Sequence, residues 1–146
     1  MLDNVSLVNT RAVALNAIGV VSSNIPRSIE FFTLLGISFP TDGSCEASAD
    51  HTEAVLPSGL RLMLDSESLV RSLNPNWDWP PENSQTTLLA FDCVSPTNVD
   101  AVFQLIVNAG FTSATDPWDA FWGQRYAQVR DQDGNTYDLF ADLTNE

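Results

Sequence analysis

The sequence predicts an α+β fold built from two copies of one layout, strand–helix–strand–strand–strand. Three spacings carry that reading. The helix-ending glycines Gly36 and Gly110 stand 74 residues apart. The hairpin glycines Gly59 and Gly134 stand 75 apart, and the apolar first strands, near Ala17 and Leu88, about 71 apart. Two such halves each need a covering layer for an inner sheet face, and neither buries that face well alone. The pattern divides the chain into an N-terminal arm at 1–14, a first βαβββ module at 15–65, a Trp- and Pro-rich linker at 66–85 and a second module at 86–146.

The elements follow in order. Residues 1–14 show no strong period, and Leu7, Val8, Val13 and Leu15 suit an extended arm or edge strand. Ala14–Val21 is apolar and β-branched toward its end, so a buried strand is expected. Ser23 or Asn24 caps a helix with Pro26 in its first turn. Ile25, Ile29, Phe32 and Leu35 share one face of it, and Gly36 ends it. Ile37–Phe39 reads as a short strand and Thr41–Asp50, with Cys45, as a polar flexible stretch. His51–Leu56 and Leu60–Asp65 are strands joined by Pro57-Ser58-Gly59, with Leu62 and Leu64 on one face and Met63 on the other. Ser66–Arg71 suits a helical turn.

Asn74–Pro81 carries three prolines, which exclude regular helix and central strand. The loop holds Trp77 and Trp79. Two such rings either cap the core of their own module or wall a ligand cleft or subunit interface. Thr86–Cys93 is the next apolar strand. Ser95-Pro96 opens a helix with Val99, Val102, Phe103, Ile106 and Val107 on one face, ended by Gly110. Phe111–Ala114 begins a strand, and Asp116–Phe121 reads as a loop. Tyr126, Gln128 and Arg130 alternate with Ala127, Val129 and Asp131. A turn at Asp131–Asn135 and the β-favouring Thr136–Phe140 complete a hairpin. Asp138 falls inside its return strand, toward either solvent or a cavity.

Composition narrows the function. The 146 residues, 44% hydrophobic and 10% aromatic, suffice for a real core. No run approaches the roughly 20 apolar residues of a membrane span, and the first residues lack the features of a secretory signal. Cys45 and Cys93 form no CxxC pair, so reduced thiols in the cytoplasm are expected, with a disulfide as the alternative. Nineteen acids face six arginines and no lysine, a net charge of −13. That balance argues against nucleic acid and anionic membranes as partners and favours encounter with cations. It also excludes lysine-based covalent chemistry. One histidine and no nucleophile motif leave no residue to name as catalytic.

Two stretches resemble a known family. They are Ser23-Asn-Ile-Pro-Arg-Ser-Ile-Glu-Phe-Phe-Thr-Leu-Leu-Gly36 and Trp122-Gly-Gln-Arg-Tyr-Ala with Arg130-Asp-Gln-Asp-Gly-Asn-Thr-Tyr-Asp138. With the paired βαβββ layout they resemble the vicinal oxygen chelate superfamily of glyoxalases, extradiol dioxygenases and bleomycin-resistance proteins. The resemblance implies cupped mixed sheets, ligands held inside the cup, and a homodimer with composite clefts. It also implies metal ligands, in the family's enzymes, at positions that fall here on Ala17, Met63, Leu88 and Asp138. Only Asp138 suits a hard or borderline divalent ion, and a site needs about three protein ligands. A site using His51 and Asp138 stays open as an atypical arrangement.

No cofactor and no metal residue are therefore expected. The pattern lies closest to the metal-free, bleomycin-resistance-like subgroup, which sequesters drugs without chemistry. On that reading Trp77, Trp79 and Trp122 enclose an aromatic, cationic ligand. Asp138, Asp65 and Asp119 pair with its charged or donating groups. Met63, Leu88 and Phe91 form the floor. The alternatives are a metal-dependent glyoxalase- or dioxygenase-like enzyme with atypical ligands, or a cofactorless biosynthetic enzyme on the same fold.

Overall fold

A computed structural model of the chain describes residues 9–40 and 50–145. The polar stretch with Cys45 and most of the arm lie outside the described residues. A 3-10 turn at Thr10–Ala12 leads into β1 (Ala17–Ser22) and α1 (Ile25–Leu34). Then come β2 (His51–Val55), β3 (Arg61–Ser66) and the short α2 (Glu67–Leu73). The second half contains β4 (Leu89–Asp92), α3 (Pro96–Asn108), β5 (Thr112–Asp119), β6 (Gln124–Arg130) and β7 (Thr136–Asp142). Among the described residues these form a three-stranded mixed sheet, order β1-β3-β2, and a four-stranded one, order β4-β7-β6-β5. In each the first strand pairs in parallel with the last, the α+β repeat that the sequence predicts.

Local chemistry accounts for the helix ends. Asn24 caps α1, its side chain accepting from Arg27 N, and Ser95 caps α3 by accepting from Asn98 N. Both helices carry proline in the first turn, where the missing N–H costs nothing. Gly110, at φ +96°, takes the left-handed step that ends α3.

The two halves share one core. Phe31 and Phe32 of α1 are fully buried, as are Leu64, Ile106, Val129 and Leu139. The Phe31 ring meets Phe111 at 5.0 Å and Tyr137 at 5.0 Å, both from the second half. Arg27 crosses the same boundary, donating to Ala109 O at 2.8 Å with its guanidinium 3.8 Å from the Phe111 ring centre. In β6 and β7, Ala127, Val129, Tyr137, Leu139 and Ala141 are buried, while Tyr126, Gln128, Arg130 and Asp138 face the other way.

Several expected bounds shift. Ile37–Phe39 makes no strand among the described residues. Both side chains are buried, with Phe32 beside Phe39, and Pro40 offers no N–H for a ladder. The strand expected at Ala14–Val21 begins at Ala17, and that expected at Thr86–Cys93 is confined to Leu89–Asp92. The preceding residues are held another way, because the Gln85 amide bonds both the N–H and the C=O of Thr136. The loop expected at Asp116–Phe121 is largely strand. β5 runs on to Asp119 through two register shifts, and Pro117 sits in the second, where no ladder donor is required.

Candidate functional site

A cleft of about 690 Å³ lies beside the edge strands β1 and β4. Ile18, Val20 and Leu89 line it with Trp77, Trp79 and Pro80 of the linker. Ser23, Gln132 and Asp133 supply its polar end. The tryptophan wall is built from α2. Glu67 accepts from Trp79 Nε1 at 2.8 Å and from Arg71 at 2.9 Å, and Arg71 in turn donates to Trp77 O at 2.8 Å. The two rings meet edge to face, 5.0 Å apart. Hydrogen bonding from Arg71 holds the Glu67 and Asp78 carboxyls below the usual carboxylate range.

The polar end is fixed by the β6–β7 turn. Asp131, buried at 5% exposure, accepts from the N–H groups of Asp133 and Asn135, from the Asn135 amide and from Tyr137 Oη. Burial pushes its carboxyl up, and these donors partly offset that. The turn so held presents Asp133 to β1, where it accepts from Ser23 N at 3.0 Å and from the Ser23 hydroxyl. Gln132 Nε2 donates to Asp133 and to Ser28 Oγ. A carboxylate neighbour requires that the amide present its NH₂, so Gln132 Oε1 points away. That oxygen is buried with no hydrogen-bond partner among the described residues.

A second hollow of about 580 Å³ adjoins the first and shares Pro80, Ser84, Gln85, Asp133 and Asn135 with it. Leu88, Gln128, Arg130 and Thr136 line its far side. It borders the face of the second sheet that carries Asp138. There Asp138 Oδ1 accepts from Tyr126 Oη at 2.9 Å and from Gln128 Nε2 at 2.8 Å. Burial first, then the Asp138 bond, pushes the Tyr126 phenol up to about 12. Trp122 packs 5.3 Å from Tyr126 with Trp118 and Phe121 beside it, and Phe121 is 91% exposed.

The first sheet carries a charged ladder on the face opposite Leu62 and Leu64. His51 Nδ1 bonds Asp65 at 2.6 Å, its Nε2 bonds Glu53 at 3.3 Å, and Glu53 pairs with Arg61 at 2.6 Å. The hydrogen bond to Asp65 raises the His51 pKa above 6.5. Two carboxylates on two ring nitrogens favour an imidazolium, which has no lone pair for a metal.

The positions that the resemblance links to metal move with the observed register. Met63 pairs with Gly19, not Ala17, and Asp138 pairs with Ala90, not Leu88. Glycine and alanine supply no donor, a thioether suits only soft ions, and Asp138 is engaged by Tyr126 and Gln128. Among the described residues no three His, Cys, Asp or Glu side chains are grouped to hold a metal. The residues present at these positions do not fit a divalent ion.

The expected ligand set thus divides. Trp77 and Trp79 line the cleft. Leu88 lines the second hollow, Asp138 and Trp122 share the adjoining sheet face through Tyr126, and Met63 and Asp65 stand on the first sheet. Asp119 is engaged with Arg125 at 3.0 Å. Phe91 pairs with Leu139 and packs against Tyr137 at 6.3 Å, on the core side of the second sheet. Sequence reasoning missed Gln132, Asp133 and Arg130. The turn was legible, but their role depends on β1 and the linker, more than 40 residues away in the chain.

Paired βαβ-type sheets with the first strand parallel to the last define a protein of the glyoxalase-like fold. The model of the Glyoxalase/Bleomycin resistance protein/Dioxygenase superfamily matches residues 14–139, and the chain belongs to that superfamily. Solved structures agree. A glyoxalase/bleomycin resistance protein/dioxygenase from Nocardioides is 22% identical, with TM-score 0.68 over 99% of this chain and 93% of that one. A family enzyme of the same description from Burkholderia phytofirmans PsJN is 15% identical, with TM-score 0.74 over 90% and 100%. A glyoxalase-related enzyme from Fulvimarina pelagi is 14% identical, with TM-score 0.73 over 88% of each chain. At these identities the likeness is one of fold. No curated protein matches the chain. No helix among the described residues is long and apolar enough to cross a membrane.

Proposed function

We propose that the chain is a metal-free small-molecule binding protein that sequesters an aromatic, cationic drug or natural product, as antibiotic-resistance members of the superfamily do. The observation that carries this reading is the cleft of about 690 Å³ lined by Trp77 and Trp79 together with Ile18, Val20 and Leu89. Its size falls in the range of roughly 300–1,000 Å³ that takes drug-sized ligands. Tryptophan rings offer stacking and cation–π contact, about 0.5–2 kcal/mol each. The Asp133 carboxylate at the polar end adds a negative charge that favours a cation. The net charge of −13 speeds encounter with such a ligand. Binding alone lowers the free drug by mass action, so no reacting group is required.

A homodimer belongs to this reading. Phe121, Trp122 and Trp118 are 91%, 47% and 40% exposed on one hairpin, and a second copy would cover them. A cytoplasmic setting suits the free, buried Cys93. The test is a tryptophan-fluorescence titration of the whole chain with proflavine, a planar aromatic cation. Saturable quenching at one site per chain is expected, weakened about tenfold or more in Trp79→Ala. Quenching only by small anionic acids or diols, unaffected by Trp79→Ala, would sink the reading. Sedimentation as a 16 kDa monomer at micromolar concentration would remove the dimer.

A further inference from the structure

We infer that the second hollow is a separate binding site for an organic carboxylate, with Arg130 as its anchor. Among the described residues this acidic chain engages four of its six arginines in ion pairs, and Arg11 is exposed on the N-terminal 3-10 turn. Arg27 pairs with Glu30, Arg61 with Glu53, Arg71 with Glu67 and Asp78, and Arg125 with Asp100 and Asp119. Arg130 forms no ion pair among the described residues. Its side-chain hydrogen bond among the described residues is a long one, from Nε to Thr136 Oγ1 at 3.4 Å. The guanidinium therefore keeps its outer donors unmet while half-buried at the edge of a hollow of about 580 Å³. A planar fork of N–H groups matches a carboxylate with two parallel hydrogen bonds.

Two of the acids nearby are engaged by other groups. Asp133 is taken by Ser23 and Gln132, and Asp138 by Tyr126 and Gln128. Glu82 lines the hollow, is exposed, and forms no ion pair among the described residues. Pro80, Pro81 and the 48% exposed Leu88 add apolar surface beside Arg130. That surface selects an anion with a carbon body over inorganic anions. The overall negative charge opposes an anion only at long range. At physiological salt, screening over about 8 Å leaves the local guanidinium dominant.

The matched probes are 2-naphthoate and its neutral isostere 2-naphthamide, titrated calorimetrically into the whole chain. Naphthoate should bind at least tenfold more tightly than the amide. Naphthoate should also shift the Arg130 Nε–Hε resonance in the unmutated protein. Arg130→Gln should abolish that preference, Arg130→Lys should restore part of it, and Glu82→Gln should preserve or improve it. Equal affinity for both probes, or a preference surviving Arg130→Gln, would overturn the inference. Collapse of naphthoate binding in Glu82→Gln would also overturn it. Proflavine titrations keep this site distinct from the cleft, since they should respond to Trp79→Ala and not to Arg130→Gln.

Discussion

Replacing Arg27 by methionine tests how the two halves are joined. The side chain leaves α1 in the first half and ends on the second. Its Nη2 donates to Ala109 O at 2.8 Å, and its guanidinium lies 3.8 Å from the Phe111 ring centre. Ala109 is the C-cap of α3, so the cation also meets the negative end of that helix. Methionine keeps the aliphatic stem and removes those terms. A hydrogen bond from a charged donor contributes about 1.5–3 kcal/mol, and a partly desolvated cation–π contact about 0.5–2. The Glu30 pair adds little, because Glu30 is 51% exposed. These terms overlap, so a loss of about 2–3 kcal/mol is expected, a large share of the roughly 5–15 available to a domain.

Urea unfolding followed by circular dichroism gives the number. The midpoint should fall with the slope unchanged, because the buried surface is the same. A double-mutant cycle with Phe111→Leu isolates the ring contact and should show coupling of about 0.5 kcal/mol or more. A loss below about 0.5 kcal/mol, or additivity within about 0.3, would refute the claim that Arg27 ties the halves together.

Three further outcomes are expected. Val94 sits at φ +75° with 71% exposure, a costly conformation for a β-branched residue, so Val94→Asn should stabilise by about 1 kcal/mol in the same urea assay. Asp131→Ala strands the four donors of the β6–β7 turn. It should cost about 2–4 kcal/mol and weaken proflavine binding more than Asp133→Asn does. The His51 pKa is raised, chiefly by the Asp65 hydrogen bond, so protonated His51 stabilises the fold below its unfolded value of 6.5. That contribution is lost as pH rises through the folded value, and urea midpoints should drop across that window in the parent protein but not in His51→Gln.

Periodicity and punctuation made most of the fold legible. The glycine spacings, the Asn24 and Ser95 caps and the alternation of Ala127, Val129, Tyr137 and Leu139 are local signals, and the structure repeats them. Ile37–Phe39 failed because a short apolar run looks the same whether it pairs or merely packs, and here its side chains fill the core. Asp116–Phe121 failed because Pro117 reads as a breaker, while a bulge accepts it. The site was less legible. Trp77 and Trp79 were visible as rings too large for an idle loop. Asp133 and Gln132 gain meaning only where the turn docks on Ser23 and Ser28, over a hundred residues earlier. Arg130 stands out only once Arg27, Arg61, Arg71 and Arg125 are seen to be paired.

The two hollows share a border. Pro80, Ser84, Gln85, Asp133 and Asn135 face both. Gln85 ties this segment to Thr136, beside Arg130, while Asp133 ties the turn to Ser23, beside β1. A ligand in either hollow therefore restrains groups that the other also uses, and a cation in one attracts an anion in the other. Binding should be positively coupled. A coupling of about 1 kcal/mol is roughly fivefold in affinity, and it must be the same in both directions. Calorimetry measures proflavine affinity with and without saturating naphthoate, then the reverse. Arg130→Gln should erase the coupling while leaving proflavine binding alone intact. Equal affinities with and without the second probe would show that the shared segment is rigid, and that the hollows act as independent sites.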